Sequence, residues 1–331
     1  MRGFEYYSVT TVAQAISLLS RHGEKIAVLA GGSDILGMMK DRVEGPKLKM
    51  PQYLLDITGI KDLNYIREMK SGLKIGATTT LADIAASSLI VGRYSLLSQA
   101  ASQVAVPQIR NVGTLGGNLC QRPRCWYFRG KLFRDCFRKG GENCYAPGGE
   151  NQYHAIFGGG NCYMVCPSDM ATALAALNAR VEIATPKGSK LIPIEQFYAR
   201  PEKNILRETI LGPAEMVLGV EVPIPSPGSK SIYIKLKERQ AFDFAVASVA
   251  AMVTSKDDIG SDARIVFGGV APFPLRATGA EAVLRGKKVR DAVSRVCQAA
   301  VEGAQPLSNN SYKVKAIKGL MEEALNSLVQ G

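Results

Sequence analysis

Six of the seven cysteines, Cys120, Cys125, Cys136, Cys144, Cys162 and Cys166, fall within one stretch of the chain, and only Cys297 stands apart. Disulfides in a secreted chain are spread through the sequence, so a local cluster reads instead as metal ligation. Between residues 121 and 139 the same stretch carries Arg122, Arg124, Arg129, Lys131, Arg134, Arg138 and Lys139, interleaved with Trp126, Tyr127, Phe128, Phe133 and Phe137. Cations offset the charge of thiolates, and aromatic rings keep water from the sulfurs. The same composition would suit RNA or a zinc module. Zinc sites, however, favour closely spaced cysteine pairs, and Cys120/Cys125 with Cys162/Cys166 make a poor match. On spacing alone iron–sulfur ligation, zinc and free thiols all stay open.

Two glycine-rich runs carry a second kind of chemistry. In Ala30-Gly31-Gly32-Ser33-Asp34-Ile35-Leu36 the glycines follow a short apolar strand and precede a helix, so bare backbone and free N–H groups can approach a phosphate. In Asn111-Val112-Gly113-Thr114-Leu115-Gly116-Gly117-Asn118 three glycines alternate with hydroxyl and amide side chains. Each run alone is compatible with an ordinary turn. Together they suit a diphosphate gripped from two sides, and neither has the spacing of a Rossmann fingerprint or a Walker loop.

The elements that must position these residues follow from periodicity. Val12, Ala15, Ile16 and Leu19 share one helical face, with Thr10 or Thr11 as N-cap and Gly23 at the C-terminus. Ile26–Ala30 predicts a strand, and Ile35, Leu36, Met38 and Met39 begin a second helix. Leu73–Ala77 predicts a strand, and Thr80–Ala86 opens a helix. Leu119–Tyr163 has no sustained period and reads as a long insertion that something other than secondary structure must organise. Regularity returns with the alanine-rich helix Asp169–Leu177 and the strand Arg180–Ala184. Beyond the Pro/Gly-dense boundary at 223–229 come strands at Ser231–Lys237, Ala245–Thr254 and Ala263–Gly269, then two amphipathic helices.

Composition narrows the function. The 331 residues are too many for one small core, so two or three compact units are expected. No apolar run approaches the ~20 residues of a bilayer span. The first residues, Met1–Tyr7, have no signal-peptide character, which predicts a cytoplasmic protein. Only two histidines, His22 and His154, nearly exclude a His-centred triad or a His-rich metal site. The net charge of +12 is spread along the chain and predicts a surface that meets acidic partners, not nucleic acid.

Four runs in order, Ala30–Leu36, Arg110–Leu119, Pro167-Ser168-Asp169 and Val266-Phe267-Gly268-Gly269-Val270-Ala271-Pro272, closely resemble the FAD subunits of the xanthine dehydrogenase family of molybdenum hydroxylases. The resemblance spans essentially the whole chain. It implies an α+β protein: a bilobed FAD-binding domain of the PCMH/vanillyl-alcohol-oxidase type over 1–224, then a C-terminal α+β domain like that of CO dehydrogenase flavoproteins over 229–331. It also implies that Ala30, Gly31, Gly32, Ser33, Asp34 and Ile35, with Gly113, Thr114, Gly116, Gly117 and Asn118, hold FAD. Asp169 would lie near the ribityl or diphosphate region and Lys235 near the flavin ring. Read without the resemblance, Asp169 is a helix N-cap and Lys235 a solvated strand residue.

The family's motif usually has Thr where this chain has Ser33, so the hydroxyl is kept. The insertion at about 119–164 is a larger departure. It is similar to the loop that carries a [4Fe–4S] cluster in the β subunit of 4-hydroxybenzoyl-CoA reductases and in the flavin subunit of periplasmic aldehyde oxidoreductases. That similarity places the ligands on Cys125, Cys136, Cys144 and Cys162. It leaves Cys120 and Cys166 over, with Cys162 the less certain choice against Cys166, and Cys297 as a core thiol.

The implied partners are a molybdopterin-binding large subunit, a small [2Fe–2S] subunit and an external electron acceptor or donor, in a hetero-oligomer. Substrate chemistry would then lie outside this chain. Two other readings are a self-standing flavin oxidase of the same fold and a zinc-organised nucleic-acid-binding protein.

Overall fold

A computed structural model of the chain describes residues 1–330. A parallel sheet of three short strands, in the order β1 (Glu5–Ser8), β3 (Tyr53–Asp56), β2 (Ile26–Leu29), forms the first lobe. The helix Val12–His22 packs Ala15 and Leu19 inward, and Thr11 is its N-cap, accepting from Gln14 N at 3.2 Å. β2 runs into the first glycine run, and the helix Ile35–Asp41 leaves it. This strand–helix–strand–helix order is the one that periodicity predicts.

The second lobe is a five-stranded antiparallel sheet ordered β4 (Ile66–Met69), β5 (Gly72–Gly76), β8 (Met216–Pro223), β6 (Arg180–Thr185), β7 (Gly188–Pro193). Helices Leu81–Ala86, Ser95–Ser102 and Asp169–Ala176 contribute to its core, where Ile75, Leu97, Leu174, Val181 and Val220 are buried. β4 and β5 precede the insertion in sequence and β6, β7 and the central β8 follow it, so the sheet is completed only by strands made after the inserted segment.

The C-terminal unit is an antiparallel sheet ordered β12 (Leu275–Arg276), β11 (Ile259–Gly268), β10 (Ala247–Lys256), β9 (Ser229–Leu236). Three helices cover it, Thr278–Leu284, Val289–Ala299 and Tyr312–Gln330, one more than the sequence suggests. β10 reads as a continuous apolar run because both faces are covered. Val249 and Ala251 join the core under the C-terminal helices, and Ala250 joins the core of the second lobe. The same geometry acts on β9. Tyr233 and Lys235 are two residues apart and so share a face, and that face turns toward the helix Asp169–Ala176, away from solvent.

The insertion contains only a short helix, Trp126–Arg129, and a one-turn 3-10 helix, Phe137–Lys139. It docks on residues 43–48, where the Lys139 carbonyl accepts from the N–H groups of Lys47 and Leu48. Phe128 and Cys136 share a small core with Met38 and Val43. Its far end is clamped by the C-terminal unit. Asn310 Nδ2 donates to the carbonyls of His154 and Ala155, Asn151 Nδ2 donates to Ser308 Oγ, and Tyr312 Oη donates to the Gln152 carbonyl. The Val270 carbonyl of the fourth recognisable run accepts from Ile156 and Phe157, and that of Ala271 from Cys166, so this run braces the insertion and not the groove.

Lys313 completes the clamp. It is fully buried, and Nζ donates to the carbonyls of Tyr153 and Gly269 at 3.0 and 2.8 Å. Two N–H bonds are what a neutral amine can offer, and burial pulls its pKa down to about 7. The unfolded lysine keeps its proton to about pH 10.4. Between these values the unfolded chain binds the extra proton, so this residue's contribution to stability rises with pH across that window. The wild-type melting temperature is therefore expected to gain on that of Lys313→Met between pH 7 and 9. A difference that stays constant or shrinks would show that the amine is charged in the folded protein. Among the described residues no helix is long and apolar enough to cross a membrane.

Candidate functional site

The two glycine runs meet. A Cβ placed on Gly31 would lie 2.0 Å from the Val112 carbonyl oxygen and 3.0 Å from Gly113 Cα, so only glycine allows this backbone contact. Gly32 adopts φ +69°, a left-handed conformation that favours glycine. The N–H groups of Gly31, Gly32, Ser33, Asp34 and Ile35 have no acceptor among the described residues. They are donors without partners at the edge of a cavity of about 350 Å³. Of the residues the sequence assigns to a cofactor, all but Gly116 line this cavity: Ala30 through Ile35, Gly113, Thr114, Gly117, Asn118, Asp169 and Lys235.

The second run differs from the glycine-rich turn its sequence suggests. Leu115–Cys120 is a short helix, with Thr114 as N-cap accepting from Gly117 N at 3.2 Å. Leu115 N and Gly116 N donate to the Thr79 and Ala77 carbonyls, and a Cβ on Gly116 would stand 3.1 Å from Ala77 O. Gly116 is thus a packing glycine against the second lobe. Most N–H groups of this run are used within the protein, and what it presents to the groove is the bare Cα of Gly117 beside Asn118.

Asp34 is turned away from anion binding. Its carboxylate accepts from Arg122 N at 2.8 Å and pairs with Arg124 at 2.9 Å and Arg129 at 2.6 Å. The first glycine run is thereby tied to the start of the insertion.

Asp169 and Lys235 are neither N-cap nor solvated. Ser168 caps the helix instead, accepting from Ala171 N at 3.0 Å and donating to Asn118 Oδ1 at 2.6 Å. Asp169 Oδ2 pairs with Lys235 Nζ at 2.7 Å, and Oδ1 accepts from Tyr233 Oη at 2.6 Å. Burial and the Asp169 charge hold the Tyr233 phenol far above its usual pKa, so it is a fixed neutral donor. Lys235 also donates to the Gln103 carbonyl at 3.0 Å. Tyr233 is a site residue that periodicity does not single out, and its spacing of two from Lys235 on a strand is the signal for it. Phe242 and Phe244, on the loop between β9 and β10, close another side of the cavity, and Arg124 lies over the Phe244 ring at 4.9 Å.

The cysteines divide into two sets. Burial pushes the Cys125 thiol up to about 12. Burial likewise raises Cys136, aided by Cys162 and Cys144, and raises Cys144, aided by Cys162. Cys125 and Cys136 pack on the same small core, Cys144 follows Asn143, which bridges to Cys136, and Cys162 meets Arg138, two residues from Cys136, at 3.2 Å. Cys120 and Cys166, each pushed up to about 12 by burial, instead feel Glu208, and Cys166 contacts Tyr198 within the core of the second lobe. Cys297 is buried under the C-terminal helices. Among the described residues no group of three or more His, Cys, Asp or Glu side chains converges on a single metal ion.

Around the four thiols the insertion turns its cations inward. Arg138 is 1% exposed, and its Nε donates to Cys162 Sγ at 3.2 Å. Lys139 is fully buried, and Nζ donates to the Gly130 carbonyl at 2.7 Å. His154 Nε2 lies 3.2 Å from Cys125 Sγ. With Arg122, Arg124 and Arg129 also bound to carboxylates, the basic stretch is mostly spent inside the protein, which removes the basis for a nucleic-acid surface. Glu208, missed in the sequence, accepts from both Arg138 and Arg122.

The family described as the FAD binding domain in molybdopterin dehydrogenase matches residues 2–225, and the CO dehydrogenase flavoprotein C-terminal domain matches 232–328. The aldehyde oxidoreductase FAD-binding subunit PaoB of Escherichia coli is 34% identical over 98% of both chains. The carbon monoxide dehydrogenase medium chain of Hydrogenophaga pseudoflava is 29% identical over 98% of this chain and 96% of its own. A solved carbon monoxide dehydrogenase structure from Hydrogenophaga pseudoflava superposes with a TM-score of 0.77 at 28% identity, covering 99% of this chain and 98% of that one.

Proposed function

The chain belongs to the FAD-binding subunits of the xanthine dehydrogenase/CO dehydrogenase family, and on that premise we propose that it serves as an electron conduit carrying FAD and one [4Fe–4S] cluster. Its partners are a molybdopterin-binding large subunit, a small [2Fe–2S] subunit and an external redox partner. The observation that carries the cluster is the division of the cysteines. Cys125, Cys136, Cys144 and Cys162 all belong to the insertion and its immediate contacts, while Cys166 is buried in the core of the second lobe and Cys120, half-buried, packs against that core at the edge of the groove. A cubane cluster takes one cysteine per iron, so its ligands stand apart at corners and do not converge on one point. Cys162, not Cys166, is assigned as the fourth ligand, because Cys162 meets Arg138, two residues from Cys136, while Cys166 is packed in the core of the second lobe.

The surroundings fit an anionic group. Arg138 and Lys139 supply buried positive charge, His154 and Arg138 can donate to sulfur, and Phe128 and Tyr145 help to exclude water. In the groove the five partnerless N–H groups of Gly31–Ile35 bind diphosphate oxygens, Gly117 leaves room for the chain of the cofactor, and Arg122 adds positive charge. Lys235, locked on Asp169, is a fixed cation at the groove's inner wall. Flavin, when bound, couples single-electron steps to a two-electron partner. The residues of this chain bind, orient and exclude water.

The purified subunit is expected to accept electrons from dithionite or a reduced dye and to leave aldehydes, purines and aromatic acyl-CoA substrates untouched. Adding the molybdenum and [2Fe–2S] subunits should restore substrate-dependent flavin bleaching. The +12 charge predicts that this docking weakens with salt. Turnover of such a substrate by the molybdenum-free subunit would establish a self-standing oxidase instead.

A further inference from the structure

We propose that Glu208 is a shared counter-anion that sets the potentials of both redox sites, acting on the cysteine side through Arg138 and on the flavin side through Arg122. The proposal rests on the [4Fe–4S] reading above. Glu208 lies outside the insertion, between β7 and β8, and is 7% exposed. Its Oε1 accepts from Arg138 Nη1 at 2.8 Å and from Arg122 Nη2 at 3.1 Å, and its Oε2 lies 2.7 Å from Arg122 Nε. One carboxylate thus neutralises two arginines that point in different directions.

Arg138 carries the connection toward the cysteines. Its Nε donates to Cys162 Sγ at 3.2 Å, and its Nη2 is buried without a partner among the described residues. A guanidinium cannot shed its proton, so this N–H group needs an acceptor. An anionic cluster held by Cys162 and its neighbours would provide one. Arg122 carries the connection the other way. It lines the flavin groove, and its backbone N–H donates at 2.8 Å to Asp34 in the first glycine run. A chain of hydrogen bonds therefore runs from Cys162 through Arg138 and Glu208 to Arg122, whose backbone N–H makes the last link to Asp34.

The signs follow from electrostatics in a medium that screens poorly. A cation near a redox site favours the reduced form, which carries one more negative charge, and an anion disfavours it. Glu208 tempers both arginines at once. Removing its charge should raise both potentials, whereas removing one arginine should lower only the potential on its own side.

The test is a redox titration of the assembled complex, with the cluster followed by electron paramagnetic resonance and the flavin by visible absorbance. Iron content of the wild-type subunit is measured first. A wild-type subunit that carries no iron overturns the cluster reading and this proposal together, whereas about four irons per subunit leaves the potentials to decide this one alone. Glu208→Gln is expected to raise both midpoints, the cluster's by about 59 mV for a one-electron couple, a ~10-fold rise in its reduced-to-oxidised ratio at a fixed potential. Arg138→Met should lower the cluster's midpoint and spare the flavin's. Arg122→Met should do the reverse, and these two decide the matter if Glu208→Gln fails to fold. With iron and flavin retained, a Glu208→Gln variant that moves neither midpoint, or only one, overturns the proposal. So does an Arg138→Met variant that shifts both equally.

Discussion

Replacing Gly117 with valine is expected to strip the flavin from the protein while leaving the fold in place. A Cβ on Gly117 meets only the Thr114 Oγ1 cap, at 3.0 Å, so the fold needs no more than a shift of that side chain by a few tenths of an ångström. The valine methyls then occupy the cavity that Gly117 lines. The affinity for FAD should fall at least ~100-fold, which corresponds to about 2.7 kcal/mol, and the subunit should purify nearly colourless at flavin wavelengths. The melting temperature of the flavin-free form should match that of the flavin-stripped wild type. Gly32→Val should act in the same direction with added backbone strain, since Gly32 sits at φ +69°. Gly31 is less informative, because even alanine there drives the two glycine runs apart. Stoichiometric FAD on Gly117→Val would remove the second run from the binding site.

Serine in place of Cys125, Cys136, Cys144 or Cys162 should cost the protein most of its iron and its broad iron–sulfur absorbance. The same change at Cys120 or Cys166 should leave iron intact and instead lower stability by ~1–3 kcal/mol, the cost of a poorly partnered hydroxyl in an apolar core. The two readouts, iron by chemical assay and unfolding by calorimetry, separate a ligand from a packed thiol. Iron lost with Cys166→Ser but kept with Cys162→Ser would transfer the fourth ligand to Cys166, against the contact of Cys162 with Arg138, two residues from Cys136.

What the sequence disclosed was mainly local. The helix Val12–His22 and β2 are visible because their apolar spacing is decided by residues a few positions away. The second glycine run hid its helix because glycine is a poor helix former, and Leu115–Cys120 is held by Thr114 and by the Ala77 and Thr79 carbonyls from another part of the fold. Lys235 reads as solvated since nothing in β9 announces that its polar face will be covered by the helix that starts at Asp169. The resemblance to a family assigns both residues to the cofactor site where periodicity does not, but it does not pair them; the ion pair is a tertiary fact. Glu208 was invisible for the same reason, since its arginine partners are 70 and 86 residues away. The inward turn of the basic stretch is likewise a tertiary fact, set by Asp34 and Glu208, which the composition of the stretch could not disclose.

The clamp on the far end of the insertion bears on how the protein is made. Asn151, His154 and Ala155 are held by Ser308 and Asn310, partners 155 to 157 residues further along the chain. Synthesis proceeds from the N-terminus, so the four cysteines proposed as ligands emerge long before the residues that fix this segment. The far end of the cysteine loop gains its hydrogen bonds to Ser308 and Asn310 only after nearly the whole chain has been made. On the proposed reading, iron loading is expected to follow that docking, and a chain truncated before Ser308 is expected to lose iron.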